Sequence, residues 1–135
     1  MSKNHIQPAE LLGSERFGYT QVVTSPPGTL VFVSGQTALD RELQLVGGSD
    51  LKAQAEQALT NLGHALQAAG ATPSDVTSLR IYVVDYRPEQ AMALGGPLRS
   101  FFDGAPPPAQ TLLGVKSLAM PGILVEIEAT AVVPS

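Results

Sequence analysis

The hydrophobic period of this chain changes near its middle, and that change constrains its fold more than any other feature. Between Asp50 and Ala69, Leu51, Ala55, Leu59, Leu62, Leu66 and Ala69 recur at helical spacings, which places them on one side of an amphipathic helix. Ser49 or Asp50 is suited to cap its start, and Gly70 to occupy the left-handed position after its end. From Asp75 to Asp85 the period shortens to that of a strand. Leu79, Ile81 and Val83 then point one way, Arg80 and Tyr82 the other. The same alternation returns from Ile123 to Val133. Ile123, Val125, Ile127, Ala129, Ala131 and Val133 share one face, and Leu124, Glu126, Glu128, Thr130 and Val132 the other. A helix stripe between half-polar strands predicts an α+β domain rather than a bundle or an all-β sandwich.

The remaining segments complete the expected order. Tyr19 to Thr24 is rich in β-formers, and the turn signal Ser25-Pro26-Pro27-Gly28 separates it from the apolar run Leu30 to Ser34. This reads as two strands joined as a hairpin. Leu43 to Val46 predicts a short edge strand. Pro88 to Asp103 predicts a second helix, broken at Gly95-Gly96-Pro97 because an interior proline costs about 3 kcal/mol. Thr111 to Lys116 is extended. The order is β-β-(β)-α-β-α-β-β, with both helices on one face of a mixed sheet. Tyr82, Leu124 and Val132 then fall on the helix-free face, where apolar residues suggest contact with another chain. Residues 1–18 carry Pro8, Gly13 and Gly18 without a sustained period, and read as an N-terminal arm preceding a single domain over 19–135.

Composition narrows the chemistry. The 135 residues include no cysteine and two histidines, which excludes disulfides, thiolate nucleophiles and cysteine metal clusters. Catalysis would have to rest on carboxylates, tyrosine, arginine, amides and backbone N–H groups. The net charge of −4 and the lack of a basic cluster argue against nucleic acid as a partner. No apolar run reaches the roughly 20 residues that span a bilayer, and Met1 to Glu15 has no signal-peptide core. The expectation is a cytoplasmic protein with no membrane partner. Gly47-Gly48-Ser49 lacks the lysine of a phosphate-binding loop and reads as a helix cap. Pro106-Pro107-Pro108 reads as a rigid connector.

Several segments together resemble the Rid family, also called YjgF or L-PSP proteins. They are Tyr19-Thr-Gln-Val, Val33-Ser-Gly-Gln-Thr37, Gln54 with Gln57-Ala-Leu-Thr-Asn-Leu62, Ala68-Ala-Gly70, Arg80-Ile-Tyr-Val-Val-Asp85, Ser100-Phe-Phe102, Pro108-Ala109 and Val125-Glu-Ile-Glu-Ala129. The resemblance spans Tyr19 to Val133. It implies a chorismate-mutase-like subunit in a homotrimer with a central barrel, binding small ligands in clefts between subunits. The activity it implies is hydrolysis of reactive enamines and imines to keto acids and ammonia, with no cofactor and no metal.

Carried over position by position, the resemblance makes Tyr19 a cleft tyrosine. Ser34 and Gly35 become a strand end offering backbone contacts, and Glu126 the carboxylate that activates water. It also marks departures. Gln110 stands where the family's carboxylate-binding arginine is expected, Leu112 where many members carry cysteine, and Gly95 where an asparagine is common. A charge-assisted bond to a carboxylate contributes roughly 1.5–3 kcal/mol against about 1 for a neutral one. The glutamine therefore weakens carboxylate binding by about one to two orders of magnitude. The chain resembles an arginine-lacking branch, and a standard 2-iminoacid deaminase is not expected.

The residues also admit plainer readings. Glu126 and Glu128 sit about 7 Å apart on one strand face, a spacing equally suited to two solvated or ion-paired carboxylates. Tyr19 and Gln110 also suit packing and backbone satisfaction. Arg99 lies one helical turn beyond Gly95 and either supplies the missing positive charge or faces solvent. Two functions follow. One is a small-molecule hydrolase or deaminase acting on an imine-, enamine- or carbonyl-bearing metabolite. The other is a non-catalytic trimer that binds or senses a small molecule.

Overall fold

In the computed structural model, which describes residues 3–135, the helical period becomes α1, Leu51–Ala68. The Asp50 carboxylate caps it by accepting from the Lys52 N–H at 3.0 Å. Gly70 closes it at φ +75°. The Gly70 and Ala71 N–H groups return to the carbonyls of Gln67 and Leu66, which satisfies the last turn. The strands are β1 (Asn4–Ile6), β2 (Val22–Thr24), β3 (Gly28–Gln36), β4 (Val76–Val84), β5 (Ala109–Val115) and β6 (Val125–Pro134), and α2 (Ala91–Phe102) lies between β4 and β5.

A four-stranded sheet runs in the order β3-β6-β4-β5. Strands β4 and β5 are parallel, and the other pairings antiparallel. Strand β6 alternates along its length: Val125, Ile127, Ala129 and Ala131 are buried, and Glu126, Glu128 and Thr130 only partly so. The buried set meets Leu59, Leu62 and Leu66 of α1, together with Leu79, Ile81 and Val83 of β4, in one core. Helix α2 adds Leu94 and Phe102 to it. Both helices therefore lie on one face. The other face shows Phe32 at 76% exposure and Leu30 at 59%, with Leu30 beside Val132. No helix among the described residues is long and apolar enough to cross a membrane.

The core helix also carries a buried amide. Gln54 is fully enclosed. Its Nε2 donates to Gly48 O at 2.6 Å and Gly122 O at 2.9 Å, and its Oε1 accepts from the Leu124 N–H at 2.9 Å. One side chain thus pins the loop before α1 and the turn before β6. Asn61 acts similarly, its Nδ2 donating to Thr37 O and Leu39 O at 2.8 and 2.9 Å.

Four expectations need correction. Helix α2 runs unbroken through Gly95-Gly96-Pro97, with Pro97 inside it. Leu94, Pro97 and Phe102 are all buried, so packing of that face offsets the lost backbone bond. Strand β2 pairs not with β3 but with β1, Asn4 opposite Thr24 and Ile6 opposite Val22. Strand β3 instead follows β6 from Gly28 to Gln36, because Val31 and Val33 find matching inward residues, Ala131 and Ala129, only there. Residues 3–18 are consequently not irregular but hold β1 and a 3-10 turn over Ser14–Phe17; residues 1 and 2 lie outside the described ones. Ser14 is buried there, with its Oγ 2.9 Å from Gln7 Oε1 and 2.6 Å from Tyr19 O. The expected edge strand at Leu43–Val46 reduces to a single bridge between Leu39 and Leu45. The Asp40 carboxylate bends this segment into a turn by accepting from the Glu42 and Gln44 N–H groups.

Replacing Gln54 by leucine keeps the side-chain bulk but leaves the part-buried Leu124 N–H and the Gly48 and Gly122 carbonyls without their partner. We expect a loss of about 1–3 kcal/mol, read as a lower denaturant midpoint with an unchanged slope.

Candidate functional site

Antiparallel register brings a polar group together on the helix-free face. Tyr82 lies opposite Glu126, and Arg80 opposite Glu128, across β4 and β6. The Tyr82 hydroxyl reaches diagonally and donates to Glu128 Oε1. Accepting that bond, the Glu128 carboxylate favours the neutral phenol and raises the Tyr82 pKa above 10.0; desolvation adds to the shift. The alternation of β4 and β6 places Tyr82, Glu126 and Glu128 on the polar faces of their strands, but the diagonal partner depends on the register between the two.

Glu126 is held by backbone shape. Val33 pairs with Ala129 but Gln36 with Ile127, so the register slips between them. The slip is a bulge in which Ser34 and Gly35 together face Glu128. The Glu126 carboxyl lies directly over Gly35, and a Cβ on that glycine would overlap it. Gly35 thus makes the space that Glu126 occupies, a role beyond offering backbone contacts. Ser34 is exposed, and its carbonyl accepts from Gln36 Nε2 at 3.1 Å.

Gln110 and Leu112 occupy the other face. On edge strand β5, Gln110 stands beside the buried Leu79, and Leu112 beside the buried Ile81. Leu112 packs against the core. Gln110 Oε1 is buried without a hydrogen-bond partner in the subunit, an uncommon state for an acceptor. Tyr19 comes close to the same edge. The next residue, Thr20, bonds to Pro108 O at 3.0 Å through its N–H and to Pro107 O at 2.5 Å through its hydroxyl.

Gly95 and Arg99 line a groove of about 630 Å³ between α2 and the Ser14–Phe17 turn, to which Pro107 also contributes. Arg16 and Phe17 form its far wall, and sequence patterns gave no sign of them there. Among the described residues, no group of three or more His, Asp or Glu side chains is arranged to hold a metal ion.

The sequence-derived residues therefore fall into two groups. Ser34, Gly35 and Glu126 gather on the open face, and Tyr19, Gln110, Leu112, Gly95 and Arg99 on the helix side or its edge. Strands β6 and β5 are separated by β4, hence by about 10 Å across the sheet. With the two side chains also pointing to opposite faces, Glu126 and Gln110 of one subunit do not meet.

A family model described as Endoribonuclease L-PSP matches residues 14–133. The chain belongs to the L-PSP, or Rid, family. A Rid family protein of unknown function from Yersinia pestis superposes with a TM-score of 0.94 at 41% identity, covering 98% of this chain and 100% of its own. The YjgF gene product of E. coli superposes at 0.67 with 26% identity, over 80% and 84% of the two chains. The α+β subunit expected for a Rid chain is therefore the observed one. Among curated relatives, a RutC family protein of Synechocystis is 34% identical over 119 residues, 87% of each chain. A 2-iminobutanoate/2-iminopropanoate deaminase of Dermatophagoides farinae is 32% identical over 116 residues, 85% of each.

The elevated Tyr82 pKa has a signed consequence for this Rid chain. Its stabilisation is fully present below pH 10, where the phenol is neutral folded and unfolded, and is lost as pH rises through the native value. We expect Glu128→Gln to lower the Tyr82 midpoint in an NMR titration of labelled tyrosine. Tyr82→Phe should flatten the alkaline fall in thermal stability. Replacing Gly35 by alanine should displace the Glu126 carboxylate, visible in the alanine variant's crystal structure, while the fold is retained.

Proposed function

We propose that this Rid-family chain forms a homotrimer with a central barrel and hydrolyses a small imine-, enamine- or carbonyl-bearing metabolite in clefts between subunits, in the cytoplasm. The observation that carries the shared cleft is the placement of Glu126 and Gln110 on opposite faces of one sheet. Only a second copy can bring an open-face Glu126 to an edge-strand Gln110. The exposed Leu30 and Phe32 offer the apolar surface such an assembly would bury.

In this reading Glu126 is the general base. Water adds to the imine carbon as Glu126 takes one of its protons and passes it to the imine nitrogen, which gives the amino alcohol and returns Glu126 to its carboxylate. Transfer of the new hydroxyl proton to nitrogen then expels ammonia and leaves the carbonyl product. Tyr19 and Gln110 orient the substrate. The unpartnered Gln110 Oε1 is an acceptor suited to an N–H of the substrate. Backbone N–H groups at the Ser34–Gly35 bulge would hold an oxygen. Leu112 and Gly95 make the cleft apolar and roomy. Gln110 in place of arginine argues against the 2-imino acids named for the mite relative as the preferred substrates. A trimer that binds a small molecule without turning it over rests on the same substitution.

Glu126→Gln should lower any turnover by about 10²–10⁴-fold, as loss of a general base does; unchanged turnover would remove Glu126 from the chemistry. Freshly generated 2-aminoacrylate should be a poor substrate, and Gln110→Arg should improve its use about tenfold through the added charge-assisted bond. Robust wild-type turnover of 2-aminoacrylate would overturn the reading of Gln110.

A further inference from the structure

Tyr19 belongs to no strand and no helix. It lies between the Ser14–Phe17 turn and β2, directly after Gly18, whose φ is +81°. Ladder hydrogen bonds do not fix it, so its backbone polar groups need other partners. Among the described residues, they find them in two residues of the N-terminal arm. The Tyr19 carbonyl accepts from Ser14 Oγ at 2.6 Å and from Gln7 Nε2 at 3.4 Å, and the Tyr19 N–H donates to Ser14 O at 3.4 Å.

These bonds set a direction as well as a position. The peptide unit after Tyr19 is planar, and it is held from both sides: its carbonyl by Ser14 and Gln7, and the Thr20 N–H by Pro108 O at 3.0 Å. The unit before it is tied through the Tyr19 N–H. With both planes held, the two backbone torsions of Tyr19 are set, and with them the direction of its Cα–Cβ bond. The holding groups are themselves held. Ser14 is fully enclosed, and its one hydroxyl proton lies between two acceptors, Tyr19 O and Gln7 Oε1. Gln7 Oε1 also accepts from the Gln21 N–H at 3.2 Å. Gln7 directly follows β1, whose Ile6 pairs with Val22. Before β1, Lys3 Nζ donates to Ser74 O and Val76 O, which ties the arm to the start of β4. Alanine would fill the Ser14 site without burying a hydroxyl; the hydroxyl instead holds a carbonyl that no regular element satisfies.

We propose that Gln7 and Ser14 are positioning residues for Tyr19, which makes the N-terminal arm a working part of the site. They touch no substrate. They aim the tyrosine that orients it, by fixing the backbone from which its side chain projects. This deepens the hydrolase reading and rests on it in one respect, that Tyr19 faces the cleft. It gives the arm a task that a segment docked only for stability would not have.

The test separates aiming from stability. The full-length protein is labelled with 3-fluorotyrosine, and its three tyrosines are assigned by Tyr19→Phe, Tyr82→Phe and Tyr86→Phe. Ser14→Ala and Gln7→Met should each move and broaden the Tyr19 fluorine line and leave those of Tyr82 and Tyr86 in place. Gln54→Leu is the control, destabilised through the loops before α1 and β6. At the same margin below its thermal midpoint it should leave the Tyr19 line unchanged. In the Gln110→Arg background, Ser14→Ala should lower kcat for 2-aminoacrylate about ten- to a hundredfold, the effect of a misplaced orienting group, and Gln54→Leu should not. A Tyr19 line that stays in place in both variants overturns the proposal. So does a shift of all three lines together, or a kcat that falls no further than in the control. Where one variant does not fold, the other decides. Turnover absent in every form sinks the hydrolase alone, and the fluorine lines then decide the aiming by themselves. Turnover that depends on Glu126, with an unmoved Tyr19 line, sinks the aiming alone.

Discussion

Strand β6 is the member on which the remaining structure depends. It is hydrogen-bonded on both sides, to β3 and to β4, and its period of two leaves no freedom in which residues face the helices. Burying Val125, Ile127, Ala129 and Ala131 beneath α1 turns Glu126 and Glu128 to the opposite face. A slip of one residue would exchange the two sets and place carboxylates in the core. The same register aligns Tyr82 and Arg80 of β4 with those carboxylates. Core packing and the position of the polar cluster are thus consequences of one pairing.

That pairing also divides the candidate site. The residues with acid–base capacity lie on the open face, and those able to orient a ligand lie at the β5 edge. Gln54 and Asn61 hold the loops around the sheet ends through buried amides, which gives both faces a fixed frame. A rigid subunit with half a site on each side of its sheet is suited to shared clefts, where each copy contributes a different half.

Much of this was legible from local pattern. The span and both caps of α1, the inward stripes of β4 and β6, and the placement of both helices on one face follow from periodicity and end signals, which depend on near neighbours. Strand partners were not legible. The turn at Ser25–Gly28 suggested a local hairpin, whereas β3 joins a strand about a hundred residues away in sequence. Local residues carry no record of so distant a choice, which is made by matching inward side chains. The continuity of α2 through Pro97 was hidden for the same reason. Propensity counts the lost bond, and only the packed structure shows Leu94, Pro97 and Phe102 buried together.

The sequence by itself determined the class of fold, the family, and the list of residues able to carry chemistry, because each is written in residue identity and short-range spacing. The tertiary structure alone decided how those residues are grouped. It seated Glu126 over a bulge glycine and left Gln110 Oε1 without a partner. It also set Gln110 and Glu126 on opposite faces. Each of these is a contact between segments distant in sequence or a detail of side-chain direction. Both are fixed only when the sheet and helices close on a common core.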